Sequence, residues 1–313
     1  MCRTSGYGII MDIPERRTPV IYLRTFRMLT QDQEDAYLAE IRRTCYTTRY
    51  PFHVFRYRAL PRFELEPVTI FYGGNGSGKS TILNVIAERL QVRRGAACNR
   101  SNFFEDYVRQ CEAELASAWG QDVQERSRVI TSDDVFDYLL NIRALNENID
   151  CKREELLREY TEVRKSGYQL QSLDDYEELV RHLDAARRSG SGYVRKRLMQ
   201  NVAERSNGES ALSFFTEAIQ ENALYLLDEP ENSLSAEKQL ELQRFLSDSA
   251  RFYGCQFLIS THSPFLLSMR GAKIYDLDAD PVRVRPWTEL ENVRVYRDFF
   301  LQHESEFQAG VSP

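Results

Sequence analysis

Gly73-Gly-Asn-Gly-Ser-Gly-Lys-Ser-Thr81 follows Val68-Thr-Ile-Phe-Tyr72 without a break. The five residues before it are apolar or β-branched and too few for a helix, so they read as a buried strand. Ile82 to about Leu90 reads as a helix. The four glycines between them let the backbone curl until its N–H groups face one point. The helix adds the positive end of its dipole to that point. Strand, G-x-x-x-x-G-K-[ST] and helix in this order spell a phosphate cradle. A glycine-rich turn that merely happens to contain Lys-Ser is the bland alternative, and the correct flanks on both sides argue against it.

The cradle nominates Gly73, Gly74, Asn75, Gly76, Ser77, Gly78, Lys79, Ser80 and Thr81 as contacts to ATP. Lys79 would reach the β- and γ-phosphates, and the Ser80 hydroxyl would sit on Mg²⁺. Ala223-Leu-Tyr-Leu-Leu-Asp228-Glu229-Pro-Glu231 is an apolar strand ending in acids. Strand ends in α/β sheets deliver side chains to the edge where nucleotides bind. Asp228 is therefore expected to hold Mg²⁺ and Glu229 to polarise the attacking water. Ile259-Ser-Thr-His262-Ser-Pro264 is a second such strand end, which places His262 near the γ-phosphate. Ser206-Asn-Gly208-Glu209-Ser210 opens a helix about 20 residues before Asp228. Ser206, the Gly208 backbone and Glu209 would make an anion site at that helix N-terminus; alone, the segment would read as a plain cap.

Together these elements resemble the ABC-type ATPases. Gly73–Ser80 is similar to Walker A, Ser206–Ser210 to the signature motif, Leu224–Glu229 to Walker B, and His262 to the switch histidine. Glu231–Ser235 sits where the D-loop follows. The Asp-Glu-Pro-Glu and Ser-Thr-His-Ser-Pro wording resembles the soluble RecF-like, SMC-like and OLD-like branch and small bacterial AAA family ATPases. The resemblance implies an ATPase that dimerises head to tail on ATP, with Ser206 and Gly208 acting on the partner's nucleotide. It also implies Lys79, Glu229 and His262 as the catalytic set. Three positions depart from the pattern: Asn207 replaces a glycine, Ser235 stands at the D-loop aspartate, and no glutamine clearly marks the Q-loop. Arg128–Ser132 reads as the preceding strand, so Ser132 or Asp133 would take the Q-loop position, with Asp133 a candidate metal ligand. Phe55 and Tyr57 are the aromatic candidates for adenine.

The rest of the chain frames that site. It has 313 residues, 42% hydrophobic and 28% charged, with net charge −6. That is enough for one large or two smaller domains, and no overall basic charge points to nucleic acid. The six cysteines form no C-x-x-C pair and the four histidines no i, i+4 pair, which excludes the usual structural zinc patterns. Scattered thiols and the lack of a signal-like segment suggest the cytoplasm. No apolar run is long enough for a membrane span. Either Met1 or Met11 could be the start.

Strands alternate with helices at both ends of the sequence, which predicts an α/β P-loop NTPase fold with a largely parallel or mixed sheet and a helical insertion subdomain. The expected domains are an extension over 1–50, the ABC-type ATPase domain over 51–285 with its helical insert at about 95–205, and a tail over 286–313. Within them, Val54–Leu60 is expected as an edge strand and Phe103–Trp119 as a helix. The insert is too short for SMC-type arms, and too little follows His262 for an OLD-type nuclease. Arg187, Arg188, Arg195, Lys196 and Arg197 could meet a DNA or RNA backbone or form a solvated face. Expected partners are a second copy, DNA or RNA, and a separate nuclease or effector protein. The rival class is a regulatory module in which ATP gates protein contact.

Overall fold

A computed structural model of the chain describes residues 19–41, 45–56, 58–166, 176–198, 200 and 207–309. The chain divides into two compact units, 1–135 with 212–313, and 136–211. In chain order the described strands are Leu23–Arg27 (β1), Phe63–Glu64 (β2), Val68–Tyr72 (β3), Arg93–Arg94 (β4), Glu112–Leu115 (β5), Arg128–Thr131 (β6), Leu224–Asp228 (β7), Gln256–Ser260 (β8), Lys273–Asp276 (β9) and Arg283–Val284 (β10).

All ten belong to the first unit, whose main sheet runs β10-β9-β3-β8-β7-β6-β4. Every pairing is parallel except β9 with β10. β3 and β8 are buried along their whole length, as are the first four residues of β7. Such unbroken apolar runs are what a parallel sheet covered on both faces demands.

β8 lies between β3 and β7, and the register aligns their ends. Phe71 is level with Ser260, Ser260 with Asp228, and Asp228 with Thr131. On the other side of β3, Tyr72 is level with Asp276. The loops after β3, β6, β7, β8 and β9 therefore all leave from one edge.

A smaller antiparallel sheet, β2-β1-β5, packs into the same unit. Gln256, fully buried at the start of β8, stitches the two sheets. Its Oε1 accepts from the N–H groups of Tyr22 and Leu23, and its Nε2 donates to the carbonyls of Leu23 and Glu66. β5 replaces the second half of the helix expected over Phe103–Trp119; only Phe104–Gln110 is helical there. Cys-Glu-Ala-Glu-Leu has helix-forming residues, but pairing with β1 wins. The expected strand Val54–Leu60 is a run of turns where it is described. The segment after Pro286 carries a 3₁₀ turn and the helices Glu291–Gln302 and Glu304–Ala309.

The second unit takes most of a 34-residue helix, Ser132–Lys165, together with Tyr176–Arg187 and Gly190–Arg197. Its small core joins Leu156, Ala185, Tyr193 and Val194. Asp184 collects Arg188, Lys196 and Arg197 at 2.8, 3.5 and 3.2 Å. The Arg188 guanidinium holds the Asp184 carboxyl below the usual range. Three members of the expected basic cluster are thus turned onto one acid. No helix among the described residues is long and apolar enough to cross a membrane.

Candidate nucleotide site

The cradle forms where β3 meets the helix Lys79–Leu90. Gly78 caps that helix with φ +97°, a left-handed conformation that glycine adopts without cost. A Cβ there would lie 2.3 Å from the Phe55 ring. Phe55 is buried against the loop, so it supports the cradle from below and does not offer a face to adenine. Tyr57 lies outside the described residues. No side chain caps the first turn of the helix, which leaves its N-terminal amides to the cradle.

Lys79 is buried, and its Nζ donates to the Gly73 and Gly74 carbonyls at 2.8 and 3.1 Å. Its ammonium also lies 3.8 Å from Glu229 Oε1. The Ser80 hydroxyl donates to Asp228 Oδ1 at 3.0 Å. Burial pushes the Asp228 carboxyl above the usual range, with the Glu229 charge adding to the rise and Ser80 and Lys79 opposing it. Glu229 sits at the β7 end with φ +49°, and its N–H donates to the Ser260 carbonyl at 2.9 Å. A glutamate in that conformation carries roughly 1–2 kcal/mol of backbone strain; such strain concentrates at functional sites. Glu229 Oε2 accepts from Asn232 Nδ2 at 3.2 Å, and Oε1 lies 4.0 Å from His262 Nδ1. The carboxylate thus stands between Lys79 and His262.

Glu231 braces the histidine loop from below. It is 5% exposed. Its Oε1 accepts from the Thr261 hydroxyl at 2.6 Å and from the His262 N–H at 3.0 Å, and lies 3.6 Å from His262 Nδ1. Ser235, at the D-loop aspartate position, caps the helix Ala236–Phe252 by accepting from the Lys238 N–H.

Two further residues reach the cradle from places the sequence did not nominate. Asp278, in the loop after β9, accepts from the Gly74 N–H at 2.7 Å. Arg58 donates to the Ser77 carbonyl at 2.9 Å. For Asp278 the available signal was an apolar strand running into acids, Asp276-Leu-Asp278-Ala-Asp280, the same pattern that marked Asp228.

The remaining nominees are Asp133, Ser206, Gly208 and Glu209. Asp133 is exposed in the first turn of its helix, while its neighbour Asp134 turns back to accept from the Thr131 N–H and hydroxyl, both at 2.8 Å. Ser206 lies outside the described residues. Gly208 and Glu209 occupy the first turn of the helix Asn207–Ala218 and belong to the second unit up to residue 211. Among the described residues no three His, Cys, Asp or Glu side chains converge on a metal-sized point.

Parallel strands with the histidine strand between the cradle strand and the acid strand, all ending at one edge, define the class: a P-loop NTPase fold of the ABC-ATPase type. More particularly, residues 120–268 match the family model described as "AAA domain, putative AbiEii toxin, Type IV TA system". The match takes in Asp228, Glu229 and His262 but begins after the cradle, whose reading stands on its own residues. No curated protein matches the chain. Among solved structures, one described as "an inward-facing conformation of a putative metal-chelate type ABC transporter" is 16% identical, covers 88% of each chain and has a TM-score of 0.39. An ATP-binding cassette in a dimeric post-hydrolysis state with ADP and Pi is 13% identical, with 73% of this chain and 90% of that one covered, at a TM-score of 0.36. At that level of similarity neither says what this chain binds.

Proposed function

We propose that the chain binds ATP with Mg²⁺ at Gly73–Thr81 and hydrolyses it. The observation that carries this is the meeting of Lys79, Ser80, Asp228, Glu229 and His262 at one sheet edge. Ser80 and Asp228 are hard oxygen donors. Neighbouring ligands of an octahedral Mg²⁺ at about 2.1 Å stand about 3 Å apart, and the Ser80–Asp228 oxygens are 3.0 Å apart. Mg²⁺ is commonly held by one or two protein oxygens plus phosphates and waters, so the lack of a larger cage fits it. When bound, it neutralises charge on the β- and γ-phosphate oxygens.

The chain's own groups do the rest. Lys79 exchanges its two loop carbonyls for phosphate oxygens. The cradle amides and the uncapped helix end hold the phosphates in line. Glu229, fixed by Asn232 on one oxygen, directs its other oxygen at the attacking water and accepts its proton as the bond to phosphorus forms. His262 contacts the γ-phosphate and registers its loss. On the family resemblance, a second copy supplies Ser206, Gly208 and Glu209, with Asp133 as an outer metal contact. The test is Mg²⁺-dependent phosphate release by the purified chain and its loss in Lys79→Ala. Release that persists in that variant contradicts the site.

For the wider role we favour a DNA-linked cytoplasmic ATPase in repair or anti-phage defence, acting with a separate nuclease or effector. The wording of the matched family, a toxin of a toxin–antitoxin system, is compatible with defence. A cavity of about 630 Å³ in the first unit is lined by Arg244, Arg251 and Arg270, with Asp248 the one acid beside them. None of the three arginines has an ion pair among the described residues. Fluorescent oligonucleotide binding should fall steeply with salt and weaken when these arginines become alanine. The alternative, an ATP-gated protein-binding module, draws support from the exposed Val295, Phe299, Phe300 and Phe307 near the C-terminus. Salt-insensitive or absent oligonucleotide binding would favour it.

A further inference from the structure

His262 is gripped through its backbone from two sides. Its N–H donates to Glu231, and its carbonyl accepts from Asn292 Nδ2 at 2.9 Å. An amide that faces a carbonyl must present its NH₂, so the contact is directional. Asn292 is the second residue of the helix Glu291–Gln302. Its own N–H donates to the Tyr72 hydroxyl at 3.1 Å. Tyr72 is the last residue of β3 and the one before Gly73. One residue therefore ties the strand that feeds the phosphate cradle to the loop that carries the histidine. The tie is stiff: Leu290 and Val293 on either side of Asn292 are both buried, and Tyr72 is 5% exposed.

We propose that Asn292 is a positioning residue for His262, which holds the imidazole at a fixed offset from the cradle so that it meets the γ-phosphate. This rests on the hydrolytic reading above. Without the Asn292 donor, the His262 backbone is held by a side chain at its N–H, through Glu231, but not at its carbonyl, and the ring is free to shift. Small displacements of a group that acts on the reacting centre reduce turnover far more than binding. Because the helix that bears Asn292 continues into the exposed aromatic segment, a movement of that helix would reach His262 and the cradle strand through Asn292.

Asn292→Asp separates positioning from support. The aspartate has the same shape but cannot donate, and it turns a lone pair toward the His262 carbonyl. In the first turn of a helix, however, an aspartate is favoured by the dipole. The variant should unfold at or above the wild-type temperature, keep KM within about twofold, and lose at least about fivefold in kcat. Asn292→Ala should lose a similar factor in kcat together with some thermal stability. Tyr72→Phe, which removes the acceptor at the far end of the tie, should show a smaller loss in kcat. A residue with only a structural role would move stability and kcat together. Wild-type kcat in Asn292→Asp overturns the proposal, as does a raised KM with kcat kept. If the wild-type chain itself releases no phosphate, the hydrolytic reading fails first and takes this one with it.

Discussion

Glu229 and Asp228 adjoin in sequence but stand in different environments. Asp228 faces inward to Ser80, where burial disfavours its charge. Glu229 turns out through a left-handed backbone toward Lys79 and His262. The sign of the Asp228 shift has a measurable consequence. An acid whose pKa is raised by folding costs stability, increasingly as pH climbs from its unfolded value through its folded one. Above that window, Asp228→Asn should therefore raise the melting temperature by a few degrees while abolishing phosphate release, a trade common at active sites. Gly78→Ala should do the opposite. It would force a left-handed alanine into the Phe55 ring and lose at least about 2 kcal/mol in a thermal melt. Asp278 holds a cradle amide with a negative charge where phosphate would bind. Asp278→Ala should tighten ATP binding by about three- to fivefold in a titration, since one exposed charge at contact distance is worth about 1 kcal/mol. That Lys79, Asp228, Glu229 and His262 come together at one sheet edge was legible in the sequence, because each follows an apolar strand. Asp278 carried the same strand-then-acid signal without being nominated, and Asn292 carried none, because a helix-start asparagine is ordinary until the fold brings it to His262.

At the scale of elements, β3, β7 and β8 were readable as apolar runs with turn residues at their ends, and their bounds agree to within a residue or two. β5 was not readable. Glu112-Ala-Glu-Leu115 has no local reason to be extended, and only β1 makes it so. The turns after Pro51 were masked by an apolar stretch, Val54-Phe55, whose burial serves the cradle rather than a strand. Gln256 shows how one polar residue can fix the relation of two sheets. Gln256→Leu keeps most of its volume but leaves two N–H groups and two carbonyls of the sheet seam without their side-chain partner. A loss of about 2–4 kcal/mol in a urea unfolding series is expected. A loss below 1 kcal/mol would mean that other groups take over the seam.

At the scale of the whole molecule, the strand order explains why motifs far apart in sequence stand at one sheet edge. β8 lies between β3 and β7, so the histidine loop emerges between cradle and acids. The sequence alone could place each motif at a strand end, but not that order. In the head-to-tail reading, Gly208 and Glu209 act on the nucleotide of a second copy. Light scattering of Glu229→Gln with and without ATP should show an ATP-dependent shift from monomer to dimer; an unchanged mass would remove the head-to-tail model. The proposed hydrolysis requires Glu229 to activate water beside a phosphate held by Lys79. The most direct measurement is the pair of ATP affinity and single-turnover phosphate release in Glu229→Gln. Affinity should stay within about threefold of wild type and release should slow at least about tenfold. Wild-type release with affinity unchanged would contradict it.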